Sequence, residues 1–133
     1  MTWENEIEAI ESRFNTVWSA SPNTPIRFEN DPRPAPDSGE WVKCVVIPAT
    51  AERSTLGIKN HRFTGFININ IFVSKGTGTN RARTLADLAS AIFRDTEFSG
   101  IVCRSPNITT IGDVEGFYQI NVSVPYWRDY IYT

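Results

Sequence analysis

Residues 62–80 of this chain read RFTGFININIFVSKGTGTN, which predicts a strand, a glycine-bearing turn and the start of a helix. Side chains alternate between the two faces of a β-strand. One face of this strand carries Ile67, Ile69, Ile71 and Val73. The other face carries Phe66, Asn68, Asn70 and Phe72. Residues 63–74 include no charge, whereas a face that meets bulk water normally carries charged side chains. The neutral face therefore predicts contact with another protein surface, with a second layer of the same chain as the alternative.

The length and composition predict one soluble domain. A chain of 133 residues can bury a core without disulfides or metal. Its 41% hydrophobic and 21% charged residues are typical of globular proteins, and no apolar run is long enough to span a bilayer. The opening residues, MTWENEIEAIE, are acidic and amphipathic, whereas a secretory signal begins basic and continues apolar. We therefore expect synthesis for the cytosol and no membrane partner.

The charge balance and the cysteines indicate which kinds of partner and which compartment suit this chain. Thirteen basic and fifteen acidic residues give a net charge of −2, which supplies no general attraction for phosphate backbones. Nucleic-acid binding is therefore not the leading interpretation. Cys44 and Cys103 each lie in a predicted strand among apolar neighbours. In a reducing compartment this pattern favours buried free thiols over a disulfide.

Two amphipathic helices are predicted from apolar residues that recur at three- and four-residue steps. The first covers about residues 2–19, and Thr2 is its expected cap. Its apolar stripe consists of Trp3, Ile7, Ile10, Phe14, Val17 and Trp18. The second helix begins at a cap provided by Thr79 or Asn80. Its apolar positions are Ala82, Leu85, Ala86, Ala89, Ile92 and Phe93.

The remaining segments read as strands and two exposed arms. β-Branched and aromatic runs predict strands at residues 26–28, 40–48, 101–103, 108–111 and 117–126. Three prolines in residues 30–39 and the polar character of residues 50–61 predict the arms. The order of elements predicts an α+β domain: a mostly antiparallel β-sheet with two α-helices packed on one face and long exposed loops.

Motifs for catalysis, cofactors or metals are weak. The loop Gly76-Thr77-Gly78 lacks the third glycine of a dinucleotide fingerprint and the Gly-Lys-Ser/Thr ending of a P-loop. His61 is the sole histidine and has no Cys or His at ligand spacing, and no GxSxG sequence occurs. We therefore predict no enzymatic activity, no cofactor and no metal. Small-molecule binding at residues 76–80 is the second hypothesis.

Four aromatic residues lie in the C-terminal sequence YWRDYIYT: Tyr126, Trp127, Tyr130 and Tyr132. Aromatic side chains of this kind anchor protein interfaces, or they fold back over the sheet of their own chain. The sequence leaves both possibilities open.

The order of features along most of the chain resembles the tail terminator proteins, also called tail completion proteins, of long-tailed bacteriophages. The similar pieces begin with an aromatic N-terminal helix, TPIRFEN at residues 24–30, the proline-rich arm and Trp41-Val42. They continue with STLG at residues 54–57 before Arg62 and Gly65. The glycine loop that leads into residues 85–93 and the closing VSVPY at residues 122–126 complete the resemblance.

The resemblance implies a small α+β protein, with no enzymatic activity and no cofactor, that forms a sixfold ring on the head-proximal end of the tail tube. Such a hexamer stops polymerisation of the tail tube protein at the correct length and offers a surface to the neck or head connector protein. Double-stranded DNA passes through the lumen without specific binding. The implied location is the virion tail, after assembly in the host cytoplasm. Another neck or head–tail joining protein is the alternative.

A ring buries one surface against a different surface of the next copy, and neutral strand faces suit such burial. We therefore assign the subunit interface to Arg62, Phe66, Asn68, Asn70 and Phe72. We assign contacts with the tube or neck to Arg33, Arg53, His61, Trp127, Tyr130 and Tyr132.

Overall fold

The computed structural model describes residues 2–20, 24–34, 36, 39–53, 57, 59–76 and 79–131. Within them the chain forms two helices, α1 (Trp3–Ala20) and α2 (Asn80–Phe93). It also forms seven strands, namely β1 (Ile26–Phe28), β2 (Trp41–Arg53), β3 (Asn60–Ser74), β4 (Glu97–Phe98), β5 (Ile101–Cys103), β6 (Asn107–Val114) and β7 (Phe117–Ile131). The predicted α+β class is confirmed.

All the strands belong to one sheet. Its order is β1-β2-β3-β7-β5-β4, and β6 pairs with β7. Only the β1–β2 pair is parallel among the pairs that the described residues form. β3 and β7 pair along their whole length, from Ser74 opposite Phe117 to Asn60 opposite Ile131. These two long strands lie in the middle of the sheet.

α1 begins with a reciprocal cap. The hydroxyl of Thr2 accepts a hydrogen bond from the Asn5 backbone N–H at 3.2 Å, and Asn5 Oδ1 accepts from the Thr2 backbone N–H at 3.3 Å. The predicted Thr2 cap is therefore confirmed, because these bonds satisfy a donor that the first helical turn leaves without a partner. At α2, Thr79 occupies the N-cap position without a side-chain hydrogen bond.

The apolar stripe of α1 differs from the predicted one. The buried residues recur every four positions, at Glu6, Ile10, Phe14 and Trp18. Four residues turn a helix by slightly more than one full turn, so this contact line runs obliquely around α1. Trp3 and Val17 lie off the line and stay exposed, at 56% and 43%. Their predicted place on the buried stripe was wrong.

Both helices pack on the face of the sheet that carries Ile67, Ile69 and Ile71, and the core lies between the two layers. Phe14 stacks on Trp18 and on Phe93, which joins α1 to α2. Both cysteines are free and buried in this core, as predicted. Burial raises the pKa of Cys44, and it raises the pKa of Cys103 to about 11. Both thiols are therefore uncharged at neutral pH.

Two predicted loops are partly strand. β2 continues to Arg53 and β3 starts at Asn60, so residues 50–53, 60 and 61 of the predicted arm at residues 50–61 belong to the β2–β3 hairpin, and residues 54–56 and 58 lie outside the described residues. β7 reaches Ile131, which places most of the predicted C-terminal tail in the sheet. Backbone pairing with β3 explains both differences, because it stabilises sequences of weak strand propensity.

Candidate assembly surface

We use the term open face for the side of the sheet opposite the helices. No helix of the described residues packs on it. The alternation of side chains and the strand register place on it Trp41, Lys43, Val45 and Ile47 of β2, Phe66, Asn68, Asn70 and Phe72 of β3, and Phe117, Gln119, Asn121, Ser123, Pro125 and Trp127 of β7. The side chains predicted to form a subunit interface thus share one face, and Arg62 joins them.

A belt of amides crosses the middle of the open face. Asn70 lies opposite Asn121 in the register. Asn70 Oδ1 accepts hydrogen bonds from Gln119 Nε2 and from Asn121 Nδ2, each at 3.0 Å. These bonds hold the side chains in fixed positions, while further amide donors and acceptors remain for a partner. The belt therefore offers hydrogen bonds without charge.

An aromatic cluster lies on one side of the belt. The rings of Trp41 and Phe72 stack with centroids 4.3 Å apart, and Phe117 meets both rings edge-on at 6.3 and 6.0 Å. The cluster lines a groove of about 540 Å³, which we call the aromatic groove, with Lys43 at its rim. The indole Nε1 of Trp41 is buried and has no acceptor in the described part of the chain. A buried hydrogen-bond donor without an acceptor is uncommon in folded proteins.

A second apolar area lies on the other side of the belt. Ile47, Phe66 and Pro125 form a row across three strands, and Ile47 and Phe66 are 45% and 41% exposed. Next to this row, the Arg62 guanidinium lies 4.0 Å above the Trp127 ring and donates to both carboxylate oxygens of Asp129, at 2.9 and 3.0 Å. The hydrogen bonds from Arg62 lower the pKa of Asp129. Arg62 is thus fixed over an aromatic ring and is not a free cation.

The residues assigned to the tube or neck do not form one patch. Arg53, His61 and Tyr130 lie in one cross-strand row at the far end of the β2–β3 hairpin, whereas Trp127 is on the open face. Arg33 lies near β1, where it pairs with Asp31 at 2.6 Å and donates to the Ile26 carbonyl at 3.2 Å. Tyr132 lies outside the described residues.

Sequence reasoning missed a buried polar cluster under α1. Glu6 accepts a hydrogen bond from the Tyr126 hydroxyl at 2.5 Å and forms an ion pair with Arg128. All three side chains are buried, and the Arg128 guanidinium lies 4.1 Å above the Phe63 ring. Burial and the neighbouring Glu6 raise the pKa of Tyr126. The available signal was the alternation of β7, which puts residues 126 and 128 on the same side as the core residue Val124.

No metal centre is apparent in the described residues, since no group of three or more His, Cys, Asp or Glu side chains comes together there. None of the described helices combines the length and the apolar character needed to cross a membrane. Gly76 adopts a φ of +88°, which fits the predicted turn after β3. Thr77 and Gly78, on which the small-molecule hypothesis also depends, lie outside the described residues.

Comparison with known proteins adds two findings. A solved structure superposes on this fold with a TM-score of 0.74, covering 100% of this chain and 99% of its own, at 20% sequence identity. This likeness shows a shared fold. No individual curated protein matches the sequence. A family model described as a phage tail terminator protein matches residues 7–126. This chain belongs to the phage tail terminator family, a family of structural proteins of the phage tail.

Proposed function

We propose that this protein forms a hexameric ring on the head-proximal end of the tail tube, where it ends tube polymerisation and provides the surface that the neck or head connector binds. It acts as a structural component without catalysis or a cofactor. The observation that carries the proposal is the open face, which combines exposed apolar side chains with a neutral amide belt. Surfaces that a partner protein buries typically combine exposed apolar side chains with polar side chains whose hydrogen bonds are formed.

In a symmetric dimer the open faces of two copies would contact each other. In a ring the open face of one copy contacts a different surface of the next copy, and this is the arrangement that we favour. A head-to-tail contact joins two different surfaces, and it closes into a ring when successive copies are rotated suitably. On the helical side of the domain, α1 has a separate set of exposed side chains, which include Trp3 and Val17. The two sides therefore provide the two different surfaces that a ring requires.

The charge distribution supports passage of DNA without retention. Each phosphate that Lys or Arg neutralises strengthens DNA binding, so a lumen should not carry many free cations. Several arginines of the described residues are engaged within the chain: Arg62 with Asp129, Arg81 with Glu40, and Arg128 with Glu6. These pairs reduce the positive charge that a nucleic acid would meet.

The far end of the β2–β3 hairpin is our candidate for the contact with the tube or neck. Arg53, His61 and Tyr130 lie there in one row, and residues 48–53 of β2 are all exposed. The edge of such a hairpin can form backbone hydrogen bonds with another protein, and its polar and aromatic side chains can add further contacts. In the same proposal Trp127 and Arg62 lie where the hairpin joins the open face.

The proposal is tested with Phe66→Glu combined with Asn68→Glu, at positions on the open face that are exposed or half-exposed. Two buried carboxylates without partners oppose subunit contact, so the variant should remain monomeric by multi-angle light scattering while its circular dichroism stays unchanged. Ala91→Glu, at an exposed position of α2, is the control that should assemble normally. Assembly of the double variant at wild-type strength would overturn the role of the open face.

The role in tail length is tested with phage particles that lack the protein. Loss of a terminator should yield overlong tails in electron micrographs. Tails of normal length that fail to join heads would instead identify a head–tail joining protein, and the terminator function would be wrong for this chain.

A further inference from the structure

The N-terminal part of α1 carries an exposed aromatic and acidic surface that the fold does not use. Trp3 is 56% exposed at the start of the helix, although its sequence pattern predicts burial. Glu4 and Glu8 lie beside it one helical turn apart, and both are exposed. Neither carboxylate has an ion-pair partner in the described part of the chain. We call Trp3, Glu4 and Glu8 the α1 tip.

The β1 side of the open face carries the complementary chemistry. Lys43 is exposed and has no ion-pair partner among the residues that the structure describes. It lies between the aromatic groove and a second groove of about 280 Å³ that Arg27, Arg33 and Asp31 also line. Asp31 pairs with Arg33, and Arg27 donates to the carbonyls of Ile26 and Pro34, so no carboxylate of the described residues neutralises the charges of Lys43 and Arg27.

We propose that the α1 tip of one copy docks into the aromatic groove of the next copy, and that this contact repeats head to tail around the ring. The Trp3 indole would enter the groove lined by Phe72 and Phe117, and the two glutamates would face Lys43. The inference rests on the ring proposed above and names the two surfaces that meet in it.

Three features of the structure favour this occupant. First, the α1 tip and the aromatic groove lie on opposite sides of the sheet, so one molecule cannot join them and a second copy is required. Second, unpaired carboxylates face unpaired cations, which fixes the register of a contact and excludes wrong partners. Third, a tryptophan that fills an apolar groove is a typical centre of binding energy at interfaces.

The aromatic groove also contains a carboxylate. Among the described residues Glu115 is the one carboxylate that lines it; this residue lies in the turn between β6 and β7, and the strands β3 and β7 separate it from Lys43. The repulsion it exerts on the α1 tip is therefore smaller than the attraction of Lys43.

The test uses two variants of the full chain. The helix variant carries Glu4→Lys and Glu8→Lys, and the groove variant carries Lys43→Glu. These side chains are exposed, and no hydrogen bond or ion pair to another described residue holds them, so urea unfolding should show folded proteins. Each variant alone places like charges across the contact, and its association should weaken at least about tenfold in light scattering or native mass spectrometry.

An equimolar mixture of the two variants should assemble again. In the mixture, the lysines of the helix variant meet the introduced glutamate of the groove variant, and the remaining contact is the wild-type one. A ring with an even number of subunits can alternate the two chains throughout. A general folding defect would not be repaired by mixing, so recovery identifies the contact itself.

Asp87→Lys is the matched control, because it reverses an exposed charge on α2 away from the α1 tip and should assemble like the wild type. Unchanged assembly of both variants alone, or a mixture as weak as either variant, would overturn the proposed contact while the ring stands. Normal rings that fail to cap tubes would show that the groove receives another protein, which also overturns it. A wild-type chain that stays monomeric in solution and on tail tubes would overturn the ring itself.

Discussion

At the residue scale, one carboxylate links the N-terminal helix to the last strand. Glu6 of α1 receives the Tyr126 hydroxyl and the Arg128 guanidinium of β7, and all three side chains are buried. A buried charge destabilises a fold unless it is paired and hydrogen-bonded. Glu6 meets this condition because two donors surround it. The cluster therefore joins the N-terminal part of α1 to β7 of the sheet.

Tyr126→Phe should lower the free energy of unfolding by about 1.5–3 kcal/mol, because it removes a buried hydrogen bond to a charged acceptor. Urea unfolding followed by circular dichroism measures this loss. Tyr118→Phe is the matched control on the same face of β7, since Tyr118 is half-buried and has no hydrogen bond from its hydroxyl in the described residues. Equal losses for the two variants would show that the Glu6 cluster contributes nothing to stability.

At the element scale, β3 fits between β2 and β7 only because one of its residues has no side chain. A Cβ at Gly65 would lie 2.7 Å from the Ile47 carbonyl oxygen and 2.7 Å from the Tyr126 hydroxyl. Gly65 faces Tyr126 directly across the β3–β7 pair, so the tyrosine ring fills the space above the glycine. A bulge between Pro48 and Thr50 adjusts β2 at the same level. Together these features let the hairpin continue beyond the core.

Gly65→Ala should destabilise the protein by about 1–3 kcal/mol, because the backbone carbonyl of Ile47 cannot give way as a flexible side chain would. Chemical denaturation measures the change. Asn68→Ala, in the same strand but on the open face, should alter stability by no more than about 0.5 kcal/mol. A neutral Gly65→Ala variant would mean that β2 and β7 are farther apart in solution.

At the scale of the whole molecule, the two faces of the sheet have different roles. One face packs against the helices and forms the core, and we propose that the open face contacts other copies of the protein. Ile67 is fully buried under the helices, whereas its neighbour Phe66 is 41% exposed on the open face. The two residues are adjacent in sequence, and the strand alternation alone separates their roles.

Alanine substitutions should separate these roles. Ile67→Ala should cost about 2–5 kcal/mol of folding stability, because it leaves a cavity in the core. Phe66→Ala should cost less than about 1 kcal/mol, because much of that ring already meets solvent. Assembly should show the opposite ranking: Phe66→Ala weakens the ring, and Ile67→Ala retains it at temperatures where the chain is folded. Thermal unfolding and light scattering on the same samples measure both, and a Phe66→Ala variant that assembles normally would contradict the assignment.

Local patterns determined much of this protein from the sequence by itself. The alternation in residues 66–73, the helical spacing of the second helix, the Thr2 cap and the buried thiols were correctly predicted, because each depends on neighbours in the chain. The order of features also indicated the family that the family model identifies.

Contacts between distant parts of the chain were decided by the tertiary structure alone. Strand propensity predicted neither the length of the β2–β3 hairpin nor the end of β7, because cross-strand pairing holds those polar residues in the sheet. The buried Glu6–Arg128 pair joins residues 122 positions apart, and a charged side chain in an amphipathic helix gives no sign of such a partner. The exposure of Trp3 likewise depends on the oblique line along which α1 meets the sheet. Local sequence contains the conformational preferences of each segment, whereas the position of one segment on another is set by packing between them.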